Sequence, residues 1–346
     1  MAPIIRALNK SQILFIFVHC GQHYDYNMAQ QFIENLELQS PDYSFKIEAN
    51  SPGAQTAEIM MKMDQLLEKI DPSIVLVEGD TNSVLAAALA ANKRVIPVGH
   101  VEAGLRSFDL RMPEEYNRRL TDHLSEFLFT PTERAKANLL KENVWGKIYI
   151  TGNTALDAVI EHLPIAEKKS TIMEKISFET FALATAHRAE NVDDISVLES
   201  FMEVFSKSPI PIVYPMHPRT KKRLQENNML NKMEALRNLL ILPPLGYLDF
   251  LILMKNCELI ITDSGGIQEE ATAPGIRKPV LVLRLSTERP EASEAGFAKV
   301  VGTDKKNILA AIEETVKNHV ELPYVSPFGD GTAAKKTIDI IKKSFA

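Results

Sequence analysis

The sequence predicts an α/β protein of two doubly wound, parallel-sheet (Rossmann-like) domains facing a cleft. Short apolar, β-rich runs alternate with helical patterns along the whole chain, the signature of parallel α/β architecture. Most of these runs are apolar almost without a break, as in sheets covered by helices on both faces. A charged, strandless stretch from Leu163 to Phe178, with Pro164, EKKS and EKIS, separates two such series. The expected domains are therefore residues 1–165 and 166–330, with a last helix over 331–346 crossing back to the first domain.

The elements follow in order. In the first half the expected strands are ILFIFVH (13–19), SIVLVEG (73–79), RVIPVGH (94–100), FLFTP (127–131) and KIYITG (147–152). Helical stretches such as AEIMMKMDQLLEKI and SVLAAALAANK lie between them. In the second half they are FALATA (181–186), PIVYPM (211–216), LLILPP (239–244), LIITDSGG (259–266), PVLVLR (279–284) and KVVG (299–302). The chain opens differently, with the amphipathic helical pattern MAPIIRALNK and no strand before it. A doubly wound domain normally opens with a strand and a phosphate-facing turn, so the first strand is expected to be missing.

Composition bounds the function. The chain has 346 residues, 45% hydrophobic and 24% charged, with a formal net charge of −6. That balance suits a globular protein and argues against a general nucleic-acid binder, which presents a basic face. Cys20 and Cys257 lie far apart with no CxxC spacing, so buried reduced thiols are expected, with neither a disulfide nor a cysteine-held zinc. No apolar run is long enough to span a bilayer and no signal-peptide pattern is present, which makes a cytoplasmic protein without a membrane partner the expectation.

Ligands of open α/β sheets bind outside the carboxyl ends of the strands, and the residues there are unusual. SIVLVEG is followed by Asp80, Thr81, Asn82 and Ser83, where Asp80 reads either as a helix N-cap or as a functional carboxylate. RVIPVGH leads into Glu102, Arg106, Asp109, Glu114 and Arg118. Glu114 and Glu115 suit the first turn of a helix, with i,i+4 pairing, and Glu115 is read that way. Glu102 sits where the chain leaves the core, so it is either paired with Arg106 or kept for chemistry.

The strand ends of the second half suit an anion. FALATA is followed by His187 and Arg188, and PIVYPM by His217, Pro218 and Arg219; both residue types donate to phosphate. In TDSGGIQEEATAPG a strand ends at Asp263, Ser264 offers a hydroxyl, Gly265 and Gly266 turn tightly, and a helix begins. Glycines let backbone N–H groups approach a ligand, and a helix N-terminus favours negative charge. Glu270, about a turn into that helix, suits ribose hydroxyls, as acidic residues do in other nucleotide sites. The motif is not G-x-x-x-x-G-K-[ST], which excludes an ATP-hydrolysing P-loop. Thr287, Glu288 and Arg289 follow another strand end, and Tyr247, Leu248 and Phe250 are placed to pack around a base. The combined reading is a diphosphonucleoside site in the second domain and, in the first, carboxylates facing the attached sugar.

The ordered motifs GDTNSVLAAALA, HVEAGLRS, MPEEYNRRLTDH, TGNT, AHRAEN, MHPRT, GYLDFL, TDSGGIQEEA and TERPE resemble those of the non-hydrolysing UDP-N-acetylglucosamine 2-epimerases. The resemblance covers residues 1 to about 330. It implies the two-domain GT-B fold, interconversion of UDP-GlcNAc and UDP-ManNAc with no metal or nicotinamide cofactor, and a homodimer. It makes Asp80, Glu102, Glu114 and His187 the catalytic residues. Ser264, Gly265, Gly266, Glu270, Phe250 and Arg289 become the contacts to UDP and sugar. It further implies a second, activating UDP-GlcNAc site at Gln22, His23 and His217, although Tyr24, Asp25 and Tyr26 depart from the common bacterial pattern.

The implied chemistry is anti elimination of UDP to 2-acetamidoglucal, then re-addition. That reaction needs carboxylates for proton transfer at C2 and cationic or N–H donors where charge develops on the diphosphate. The family's opening strand and GTRPE-type loop, which brings an arginine to the diphosphate, do not precede the MAP with which this chain starts. Loss of that arginine would lower the activity of the chain as it stands. Three alternatives stay open: a 2-epimerase of a modified UDP-sugar of the diacetamido uronic acid type, the hydrolysing epimerase, and a catalytically silent UDP-sugar-binding protein. UDP-ManNAc as product would connect the enzyme to surface polysaccharide biosynthesis.

Overall fold

Residues 1–21, 33–34, 36–318 and 321–345 are described in the computed structural model. They divide into two units, Met1–Ala158 with Gly329–Ala346, and Val159–Phe328. Gln22 and His23 lie outside the described residues.

In the first unit β1 (Val18–His19) pairs in parallel with β2 (Tyr43–Ser44). β3 (Val75–Glu78), β4 (Val98–Val101), β5 (Phe127–Thr130) and β6 (Lys147–Ile150) form a parallel sheet in that order. β4 and β5 are buried throughout, as near-continuous apolar runs require when both faces are covered. Gly99 is a packing requirement of β4, since a Cβ there would lie 2.6 Å from Leu76 Cδ2 and 3.2 Å from the Phe129 ring. The helix Asn82–Lys93 is an alanine run in which Ala86, Ala87, Ala88, Ala90 and Ala91 are buried. These small side chains let it lie close against the helix Pro52–Ile70, which Ser51 caps by accepting from Ala54 N. The expected strand 13–19 is reduced to Val18–His19. Leu14 is 96% exposed, so the apolar run faces solvent there instead of a second sheet layer.

The chain opens with the helix Ala2–Lys10, and among the described residues the first strand is Val18–His19. The helix Ala333–Ser344 belongs to this same unit. Its Ala334, Ile338 and Ile341 join Ile4, Leu8, Val101, Phe127 and Phe129 in one apolar cluster. Asp157 fixes its start by accepting from Ala333 N at 3.2 Å and Ala334 N at 2.8 Å.

The second unit carries one parallel sheet of β7 (Ala182–Thr185), β8 (Ile212–Pro215), β9 (Leu239–Leu242), β10 (Leu259–Thr262), β11 (Val280–Val282) and β12 (Ala298–Val300). The order β12-β11-β10-β7-β8-β9 reverses direction between β10 and β7. Crevices of open α/β sheets open at such a switch point. His187 follows β7, and Asp263 and Ser264 follow β10. The two-domain, all-parallel α/β arrangement is the fold class expected.

No described helix is long and apolar enough to cross a membrane. Cys20 and Cys257 are free, and burial pushes their thiols up to about 11 and about 12.

Candidate active site

In the first unit the site grows from two adjacent strand ends. β3 runs into Gly79, at φ +85, and Asp80. β4 runs into Glu102, at φ 72, a conformation that costs an L-residue about 1–2 kcal/mol. Strain held at a strand end usually serves to aim a side chain. The Glu102 carboxylate lies over the β3 turn, with Oε2 3.7 Å from where a Cβ on Gly79 would stand.

Asp80 forms an ion pair with Arg118, and its carbonyl accepts from Asn117 Nδ2 at 2.9 Å. Both partners lie on the helix Pro113–Leu124. Glu114 is exposed in the first turn of that helix, whereas Glu115 is fully buried. Glu115 does make the expected i,i+4 bond, from Arg119 Nε at 2.9 Å, but it also accepts from Ser107 N and Ser107 Oγ, both at 2.9 Å. It is therefore the anchor of the segment after β4.

Arg106 turns to other partners than the one expected. Its Nε and Nη2 form a fork on Glu142 at 2.9 and 2.6 Å, and Nη1 lies 2.8 Å from Asp122 Oδ2. Asp122 in turn holds His100, with Nδ1 2.7 Å from Oδ1, while His100 Nε2 lies 2.8 Å from the Gly79 carbonyl oxygen. His100, Asp122 and Glu142 were not singled out in the sequence. They are polar residues scattered over elements with no shared local pattern.

In the second unit the site centres on the switch point. Asp263 is fully buried, and its Oδ2 accepts from His187 N at 3.0 Å, Arg188 N at 2.9 Å and Asn191 Nδ2 at 3.0 Å. His187 Nδ1 lies 3.2 Å from Oδ1. Burial works to raise the pKa of Asp263, but the His187 side chain and the donors from Arg188 and Asn191 hold it below the ordinary aspartate value. One carboxylate thus ties the two strand ends together. His187 and His217 place their rings 5.5 Å apart. His217 caps the helix Pro218–Glu226 by accepting from Arg219 N at 3.2 Å. Burial, then the neighbouring His187 and Arg219, lower its pKa.

Ser264 stands at the N-cap of the helix Gly265–Glu270 without spending its hydroxyl on the cap. A Cβ on Gly265 would lie 3.7 Å from Glu288 Oε2 and 3.8 Å from Arg289 Cζ, whereas Gly266 is exposed and borders open space. Arg289 is therefore stationed over the turn, tied by Nε to Glu269 and by Nη1 to the Glu288 carbonyl at 3.2 Å. Glu288 itself sits between Arg188 Nη1 at 3.2 Å and Arg284 Nη1 at 3.0 Å. Burial opposes its charge, but these arginines hold its pKa below the ordinary glutamate value.

Glu270 is treated oppositely: burial pushes it up to about 7, partly offset by a hydrogen bond with Tyr247. Tyr247, placed by the sequence to pack around a base, lies beside this carboxyl, with its ring edge-on to His162 at 5.8 Å. Phe250 is half-buried on the helix Tyr247–Asn256. Among the described residues no cluster of His, Cys, Asp and Glu is arranged to hold a metal ion.

The family described as UDP-N-acetylglucosamine 2-epimerase matches residues 6–342. The UDP-N-acetylglucosamine 2-epimerase of Methanococcus maripaludis is 46% identical over 350 residues, spanning 99% of this chain and 94% of that protein. The UDP-2,3-diacetamido-2,3-dideoxy-D-glucuronate 2-epimerase of Pseudomonas aeruginosa is 37% identical, spanning 98% and 95%. Among solved structures, Methanocaldococcus jannaschii UDP-GlcNAc 2-epimerase in complex with UDP-GlcNAc and UDP has a TM-score of 0.88 at 43% identity, over 99% of this chain and 95% of that one.

Proposed function

The chain belongs to the UDP-N-acetylglucosamine 2-epimerase family, and from that premise we propose that it interconverts UDP-GlcNAc and UDP-ManNAc at C2. The observations supporting this reading are the strand-end carboxylates of the first unit, with Glu102 held at φ 72, and, in the second unit, an anion-suited switch point. The diphosphate is read onto the backbone of Ser264, Gly265 and Gly266 and the Arg289 guanidinium, the ribose onto Glu270 and the base onto Phe250. Asp80, Glu102 and Glu114 serve the C2 proton. His187, held by Asp263 at 3.2 Å, faces the departing phosphate.

A carboxylate takes the proton from C2, the C2–H electron pair forms the C1–C2 double bond, and the C1–O bond breaks with its electrons leaving on UDP. The intermediate is 2-acetamidoglucal. A proton then returns to the opposite face of C2, and UDP oxygen rebonds to C1. Elimination is anti, and donors fixed at the diphosphate stabilise the charge that develops there. No step calls for a cofactor. By the same reading the protein is cytoplasmic and homodimeric, and its product supplies surface polysaccharide synthesis.

Incubation with UDP-GlcNAc in D2O, followed by proton NMR, tests the reaction. The C2 proton signal is expected to vanish while UDP-ManNAc grows in. Free ManNAc would indicate the hydrolysing reaction, and saturable UDP binding without exchange would overturn the enzymatic reading. Glu102→Gln is expected to keep UDP affinity and lose about 10²–10⁴-fold in turnover; a near-normal rate removes Glu102 from the mechanism.

A further inference from the structure

His100 is fully buried in β4, two residues before Glu102, and its hydrogen bonds determine its charge. Nε2 lies 2.8 Å from the Gly79 carbonyl oxygen, which only accepts, so that nitrogen carries a proton. Nδ1 lies 2.7 Å from Asp122 Oδ1. The other oxygen of Asp122 accepts from Gly104 N at 3.2 Å and lies 2.8 Å from Arg106 Nη1. Both nitrogens of the His100 ring thus face oxygen acceptors, the arrangement that suits an imidazolium.

The charges around it come from every neighbouring segment. Asp122 stands on the helix Pro113–Leu124, Arg106 on the segment after β4, and Glu142 beyond Arg106, while Glu102 is on the end of β4 itself. Asp80, one residue past Gly79, is held by Arg118. Arg119 also lies 3.9 Å from Glu142, and the Met1 amine, paired with Glu78, is within Coulombic reach of Glu102. Loss of the ring proton would remove one positive charge from beside Glu102. Burial opposes the charge on His100, yet Asp122, the Gly79 carbonyl and Glu102 raise its pKa above the ordinary histidine value.

Resting on the C2 proton-transfer reading above, we propose that His100 is a positioning residue for that reaction: its buried imidazolium clamps the Gly79–Asp80 turn to β4 and keeps Glu102 ionised as a proton acceptor. The residue touches no reacting atom. It acts through the carboxylates whose place and charge it sets.

Two measurements test this. The two-bond 1H–15N spectrum of the wild-type chain at pH 8, assigned through contacts to β4 amide protons, is expected to show both His100 nitrogens protonated. A neutral ring overturns the proposal whatever the activity. An imidazolium in a chain without epimerase activity would instead count against the reaction. In His100→Gln, kcat is expected to fall at least about 10-fold, and the acid limb of kcat/KM to move up by about one pH unit. UDP affinity, which belongs to the second unit, is expected to stay unchanged. A folded variant whose acid limb stays in place has lost packing only, and that result also overturns the proposal.

Discussion

The two units handle buried and half-buried carboxylates in different ways. In the first, Asp80, Glu115, Asp122 and Glu142 are each committed to an arginine, and Asp122 to His100 as well. In the second, Asp263 and Glu270 flank the same short helix and are pushed apart. Asp263 is held ionised by N–H donors and His187, while Glu270 meets a tyrosine hydroxyl in a desolvated place and rises to about 7. Charge inside the protein therefore has two uses here. Ion pairs hold the carboxylates of the first unit in place, whereas a carboxyl facing no cation is ready to change state when a ligand supplies hydroxyl donors.

The comparison breaks most visibly at Asp122. Asp122→Asn leaves His100 and Arg106 with one counter-ion fewer inside the protein, and is expected to cost about 3–5 kcal/mol. Trp145, the single tryptophan, lies in the same unit with its indole donating to the His123 carbonyl at 2.7 Å. Its fluorescence during urea unfolding reads the loss; a change below about 1 kcal/mol would mean that the pairs do not govern this core.

Asp263→Ala orphans two backbone N–H groups and takes one of the two acceptors of the Asn191 amide, which keeps the Leu283 carbonyl, with an expected cost of about 2–4 kcal/mol. Because the folded pKa of Asp263 is depressed, its contribution is present above about pH 4 and disappears as pH falls through the lower folded value. Acid-unfolding curves of the two proteins should therefore converge below about pH 4. A gap that stays constant would assign the effect to packing instead of charge.

Glu270→Gln carries the smallest effect, and its sign is opposite. A raised folded pKa means that Glu270 favours the folded state at low pH and that this contribution is lost as pH rises from about 4 through about 7. At pH 8 the variant should be more stable by about 1–2 kcal/mol and bind UDP more weakly. Thermal melts at pH 5 and pH 8 measure it; equal melting temperatures at pH 8 would show that Glu270 is better solvated than its surroundings imply.

Much of this was legible in the sequence because strand ends are locally encoded. An apolar run followed by His187-Arg188 or by Asp263-Ser264-Gly265 announces both the element and what it presents. The switch-point order of the second sheet follows from the alternating pattern only once the strands are paired. What stayed hidden depends on distant partners. Proximity makes Arg106 one candidate partner of Glu102, but the fold offers Arg106 Asp122 and Glu142, a geometry that no spacing encodes. That Tyr247 lies beside Glu270 likewise follows from burial, which no local pattern encodes. β2, Tyr43–Ser44, is an exposed two-residue strand without apolar alternation, so periodicity had nothing to detect.

The helix Ala333–Ser344 sets an order of events during translation. A ribosome that has delivered everything up to Ala158 has exposed a sheet face at Val101, Phe127 and Phe129 whose cover includes Ile338 and Ile341. The whole of Val159–Phe328 must emerge before those residues do. The contiguous unit has all of its core on the ribosome before the first unit receives its last covering residues. In this chain, the part synthesised earliest is completed by the part synthesised last.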